Sequence, residues 1–185
     1  MAQEKRALGI LFFCLKFIPA VAVCLTLWWL FLPYYGAFLG AVGEFLLENF
    51  TDVSVDGYAV EPDGILQTAT TLAIITGGRE MPIEIGHLVT NLPLFVALML
   101  ATGGLTWRRR GGMILLGAAI LVVGHTTYLT LAFRYAGLIS EAPQVPTALG
   151  EVFLTLPFLL WIILGYWPQV RQVFVGTSEE APGEA

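Results

Sequence analysis

Residues 8–33 read LGILFFCLKFIPAVAVCLTLWWLFLP, an almost unbroken apolar run. A helix rises about 1.5 Å per residue, so about 20 apolar residues cross the roughly 30 Å hydrocarbon layer of a bilayer. The run is longer than that. It is also longer than the apolar core of a cleaved signal peptide, which has about 7–15 residues. The sequence therefore predicts an uncleaved transmembrane helix at this position.

Three further apolar runs predict three more spans. They are IEIGHLVTNLPLFVALMLATGGL at 83–105, GMILLGAAILVVGHTTYLTLAFRY at 112–135 and TALGEVFLTLPFLLWIILGYW at 147–167. Only TWRRRG joins the second run to the third, so these two should form an antiparallel hairpin. We therefore expect an all-α membrane protein, a four-span helix bundle forming a single domain, with a disordered tail at 176–185.

The composition agrees with this class of protein. Of the 185 residues, 57% are hydrophobic and 12% are charged. A soluble domain is usually about 45–50% apolar and about 25% charged, so membrane lipids should solvate much of this surface. The chain has no basic face with interleaved aromatic residues, which excludes a nucleic-acid partner.

Basic residues predict the orientation, because they are enriched on the cytoplasmic side of a membrane. In a four-span arrangement six of them lie on the side of the termini, and two lie on the opposite side. The six are Lys5, Arg6, Arg108, Arg109, Arg110 and Arg171, and the two are Arg79 and Arg134. Both termini are therefore expected in the cytoplasm.

The extracytoplasmic insertion should be residues 34–82. Its first part, YYGAFLGAVGEFLLENF, has apolar residues at helical spacing with Glu44 and Glu48 on another face. That pattern predicts an amphipathic helix on the membrane surface. Its second part is rich in β-branched residues around Glu61-Pro62-Asp63-Gly64. Turn residues between such segments predict a β-hairpin.

Polar residues inside spans are costly in lipid and are therefore candidates for function. His87 and Asn91 are four residues apart, so they share one helix face. Arg134 and Glu151 lie near the outer ends of the next two spans. We predict a polar cluster of these four side chains at the outer surface. The alternatives are that Arg134 and Glu151 form a structural ion pair and that His87 is simply hydrated.

His125 lies deeper, about ten residues from the outer end of its span, and we expect it to hydrogen-bond to a neighbouring helix. Its offset from His87 corresponds to about 9 Å of helix rise, which disfavours a haem held by both imidazoles. Cys14 and Cys24 both lie inside the first span, and the sequence has no zinc-binding motif. We therefore predict no cofactor and no metal.

The central hairpin resembles the exosortase/archaeosortase family. The resemblance lies in NLPLFVALMLA at 91–101, WRRRGG at 107–112 and ILLGAAILVVGHTTYLTLAFRY at 114–135. Members of that family are polytopic transpeptidases that process proteins with a C-terminal sorting signal. Their catalytic Cys, Arg and His have no counterparts here. Residues 84–87 contain no Cys, residues 125–128 contain no Arg, and no His follows His125.

The order of segments is similar to that of the exosortase-H-associated membrane proteins, which share the outside helix and hairpin and the Asn/Pro-bearing second span. The resemblance implies a non-catalytic accessory subunit in a bacterial inner membrane, binding the transpeptidase or its substrate's transmembrane tail. Small residues could make its close helix contacts. They are Gly117, Ala118, Ala119 and Gly124. The alternative is an orphan membrane enzyme acting through His87, Asn91, Arg134 and Glu151.

Overall fold

The computed structural model describes residues 2–135 and 144–166, and it is 72% helical. Helices α1, α2, α3 and α4 are Ala2–Phe50, Gly86–Val89, Asn91–Ala101 and Trp107–Arg134. Helix α5 is Gln144–Trp161 and continues as a π-helical turn, Ile162–Tyr166. Strands β1, β2 and β3 are Gly57–Glu61, Thr71–Thr76 and Arg79–Glu84, with a 3-10 turn at Ile65–Gln67. The predicted tail at 176–185 lies outside the described residues.

Helix α1 joins the predicted first span to the predicted surface helix without a break. The helix does not end at Pro33 but continues to Phe50, so the membrane boundary near Pro33 stays a prediction. A proline inside a helix removes a hydrogen bond and costs about 3 kcal/mol in isolation. Beyond Pro33, Leu39 and Leu47 are 1% and 0% exposed. Their burial offsets that cost, because tertiary packing supplies most of the stability of a protein helix.

The outer sheet is a three-stranded antiparallel meander, in the order β1-β2-β3. The predicted hairpin is present as the β1–β2 pair, in which Glu61 lies opposite Thr71. Strand β3 was not predicted, and Ile83 belongs to it instead of to the second span. A tight turn at Gly77 and Gly78 joins β2 to β3, with φ of +57° and +70°. Glycine adopts this left-handed conformation without steric cost.

The second apolar helix is shorter than predicted. It runs over Gly86–Ala101, about 24 Å at 1.5 Å per residue, instead of over 83–105. Two stretches are long and apolar enough to cross a membrane, Leu11–Phe50 and Trp107–Arg134. Gly86–Ala101 and Val152–Tyr166 are shorter apolar helices. The described chain therefore has two candidate membrane-spanning helices, and the four-span arrangement stays a prediction.

Two glycines of α4 pack inside the bundle. A methyl group at Gly117 would overlap the ring of Phe95 on α3, and one at Gly124 would lie 3.2 Å from the ring of Phe153 on α5. We expected both glycines to be available for a partner helix. Their faces are instead used for contacts within the chain, while Ala119 remains exposed.

This packing predicts the effect of adding one methyl group to α4. Gly117→Ala should destabilise the fold by about 1–3 kcal/mol relative to Gly112→Ala, because only the first overpacks the bundle. Both changes gain the same helix propensity, and no atom of residues 2–135 or 144–166 lies within 4 Å of a Cβ at Gly112. Thermal unfolding in detergent micelles measures the difference. Equal melting temperatures would contradict the α3–α4 contact.

Candidate functional site

His125 is the centre of a buried hydrogen-bonded chain. The residue lies on α4 and is 0% exposed. Its Nδ1 is 2.8 Å from the hydroxyl of Tyr35 on α1, and its Nε2 is 2.8 Å from Oδ1 of Asn91 on α3. The expectation that His125 bonds to a neighbouring helix is confirmed. Both ring nitrogens have a partner, and the partners lie on two different helices.

A fourth helix, α5, determines the direction of each hydrogen bond in the network formed by Tyr35, His125 and Asn91. Nδ2 of Asn91 donates to the carbonyl oxygen of Phe153 on α5 at 3.2 Å, so Oδ1 faces the imidazole. Since an amide oxygen only accepts, Nε2 of a neutral His125 carries the proton. Nδ1 is then the acceptor, and the Tyr35 hydroxyl donates to it. One carbonyl on α5 thus specifies the tautomer of a histidine on α4.

The chain of hydrogen bonds links all four long helices, α1, α3, α4 and α5. Aromatic packing reinforces it. The His125 and Phe153 rings stack at 5.8 Å, and the Tyr35 ring meets the imidazole edge-on at 6.0 Å. An unpaired polar group is expensive in an apolar surrounding, so a fully paired network specifies one arrangement of helices.

A hydroxyl, an imidazole and an amide in sequence have the order of a nucleophile, a base and an orienting group. Here, however, the imidazole is completely buried, and Tyr35 faces an apolar cavity of 530 Å³. That cavity is lined by Cys24, Leu27, Trp28, Phe31, Tyr34, Tyr35, Phe38, Leu92, Pro93 and Val96. None of these lining residues carries a charged side chain.

The helical hairpin formed by α3 and α4 carries a sequence signal for the contact between Asn91 and His125. Asn91 and His125 are nearly equidistant from the connection at 106–111, so an antiparallel hairpin places them side by side. The four-residue spacing of His87 and Asn91 instead predicts that Asn91 belongs to the outer polar cluster. No sequence pattern connects Tyr35 with a histidine 90 residues away.

The predicted polar cluster is only partly assembled among the described residues. His87 and Asn91 line one cavity of 320 Å³. The His87 side chain is 89% exposed and lies 3.4 Å from Glu84. Arg134 lines a different cavity, of 550 Å³, and its guanidinium is 3.6 Å from Asp52. The side chain of Glu151 lies outside the described residues, so its pairing with Arg134 stays a prediction.

Neither a metal nor a thiol site emerges from the described part of the chain. Within residues 2–135 and 144–166, no group of three His, Cys, Asp or Glu side chains is placed to hold a metal ion. Cys14 is exposed, Cys24 is partly buried, and both are free thiols.

The hydrogen-bonded chain predicts how single substitutions affect stability. Asn91→Ala should cost about 1–2 kcal/mol, because it leaves the His125 N–H and the Phe153 carbonyl without partners. Thr126→Ala is the matched control, since among the described residues the Thr126 hydroxyl bonds only to carbonyls of its own helix, at Val122 and Val123. Thermal unfolding in detergent compares the two. A control variant as unstable as Asn91→Ala would argue against the network.

Comparison with known proteins agrees with the resemblance read from the hairpin. A family model described as exosortase H-associated membrane protein matches residues 9–145, about three quarters of the chain. The match includes Tyr35, Asn91 and His125. No curated protein and no solved structure matches the chain. Because the family model covers far more than half of the sequence, the chain belongs to the exosortase H-associated membrane protein family.

Proposed function

We propose that the chain is a non-catalytic accessory subunit of an exosortase-type protein-sorting system in the bacterial inner membrane. The family match carries this proposal, since the family's description associates its members with exosortase H. The partner we propose is the exosortase-type transpeptidase or the transmembrane tail of its substrate. We also propose that all four apolar helices span the membrane and that both termini are cytoplasmic. A reporter fused after Ala185 tests on which side the C-terminus lies.

The buried hydrogen-bonded chain supports an accessory role. Tyr35, His125 and Asn91 use their polar atoms on one another and on the Phe153 carbonyl. A network satisfied in this way rigidifies a helix bundle. The enzyme alternative requires His87, Asn91, Arg134 and Glu151 to act together. Asn91 is engaged with His125, and Arg134 lines a different cavity from His87.

The exposed face of α4 suggests where a partner helix would pack. Leu115 and Val123 are 73% and 63% exposed, and Ala119 lies between them at four-residue spacing. Residues at this spacing share one helix face. In lipid, helices associate through close packing at small residues. With Gly117 and Gly124 covered, Ala119 is the small residue that we propose at the centre of this contact.

The proposal predicts a complex that survives purification. When the tagged chain is co-expressed with the exosortase-type transpeptidase of the same cell, the transpeptidase should be retained in mild detergent. Ala119→Trp should reduce the retained amount, because the indole would hold the two helices apart. Val23→Trp is the matched control, since it places the same side chain at an exposed position of α1, where Val23 is 57% exposed.

If the transpeptidase is not retained, and if deleting the gene leaves processing of sorting-signal substrates unchanged, the accessory role is wrong. A Cys14→Ser/Cys24→Ser double variant separates the accessory role from thiol chemistry. It should support processing at the level of the unchanged chain, and loss of processing at normal protein levels would favour an enzyme.

A further inference from the structure

The turn between β1 and β2 presents an apolar tip. Ile65 is 87% exposed and Leu66 is 43% exposed. The two residues are adjacent in the chain, and contiguous exposed apolar surface is typical of sites that contact proteins or membranes. The turn lies within the outer sheet, far along the chain from the apolar runs that predict the spans.

The contacts between β1 and α1 show where this tip lies along the axis of α1. Tyr58 packs beside Gly40, whereas Val60, two residues later, packs beside Gly36. Strand β1 therefore runs back along α1 towards Pro33 and the apolar run that precedes it. The turn that follows β1 packs against α1 as well. Ile65 and Leu66 thus lie at the end of the sheet nearest the predicted membrane.

A second set of contacts places the turn at the same position along the axis of α1. The carbonyl of Thr68 lies directly against Gly86, the first residue of the second apolar helix. Ile85 also packs beside Gly36, so the entry of this helix and the turn are level with one point on α1. Tyr34, two residues before Gly36 on α1, is 75% exposed, and tyrosine side chains concentrate at membrane interfaces.

The backbone of the tip has an unusual conformation at two residues. Leu66 and Gln67 have φ of +56° and +64°, which non-glycine residues adopt rarely and at a cost. Hydrogen bonds hold the turn, from the Gln67 N–H to the Gly64 carbonyl at 3.1 Å and from the Ala69 N–H to the Asp63 carbonyl at 3.0 Å. A strained conformation that is held in this way is a candidate functional feature.

We propose that the Ile65–Leu66 tip inserts into the outer leaflet and docks the sheet on the lipid surface. The partner is lipid, because the tip lies where the second apolar helix enters the membrane. Glu61 and Asp63, both exposed, flank the tip and would remain among the headgroups. The proposal depends on membrane insertion of the chain and not on its role in protein sorting, so the two can fail separately.

The test uses the full chain with Cys14→Ser and Cys24→Ser, carrying one new cysteine labelled with an environment-sensitive nitrobenzoxadiazole probe. The probe is placed by Ile65→Cys, and in a second protein by Leu66→Cys. Glu80→Cys is the matched control, because Glu80 is exposed on β3 near the opposite end of the sheet, beside the Gly77–Gly78 turn. Each protein is reconstituted into phosphatidylcholine vesicles with and without doxyl-labelled phosphatidylcholine.

We expect the probe at position 65 to show blue-shifted emission, to lose fluorescence with doxyl lipid and to resist quenching by iodide. The probe at position 80 should show the reverse. If position 65 behaves like position 80, the tip is in water and the proposal is wrong. If neither doxyl lipid nor iodide quenches it, protein covers the tip, which also overturns the proposal. Position 66 provides the same readout should labelling at 65 fail.

Discussion

A histidine buried among apolar helices needs partners for both ring nitrogens, and the bundle is arranged around that requirement. His125 obtains them from Tyr35 and Asn91, and the Phe153 carbonyl orients the Asn91 amide. Each partner comes from a different helix, so a shift of any helix along its axis would leave a donor or an acceptor unpaired. Apolar packing alone tolerates such shifts, because lipid tails are as apolar as leucine. The hydrogen-bonded network therefore defines the axial register of the helices, and the apolar side chains pack within that register.

The outer sheet follows from the same arrangement, because α1 extends far enough beyond Tyr35 to support it. Gly36 and Gly40 allow close approach at this point. A methyl group at Gly40 would overlap the Tyr58 ring, and one at Gly36 would press on Val60 and Ile85. The sheet and the bundle share one hydrophobic core, to which helices and strands both contribute. The sheet is thus an extension of the bundle and not a separate unit.

Structural features that depend on local composition could be predicted from the sequence. The apolar runs predicted membrane helices, the residues around Pro62 predicted the β1–β2 pair, and the hairpin motif predicted the family. Features that depend on distant contacts were missed. The continuation of α1 past Pro33 depends on the burial of Leu39 and Leu47, and the role of Tyr35 depends on a residue 90 positions away. Strand β3 was missed although Gly77-Gly78 is a strong hairpin signal.

The Phe153 carbonyl, acting through Asn91, imposes one tautomer on His125. The chain contains two histidines, so protein labelled with ¹⁵N-histidine, compared with its His87→Gln variant, gives an assigned spectrum of His125. We predict a neutral ring with the proton on Nε2 and a hydrogen-bonded, unprotonated Nδ1. A proton on Nδ1, or a mixture of tautomers as in free imidazole, would contradict the hydrogen-bonded chain and the helix register built on it.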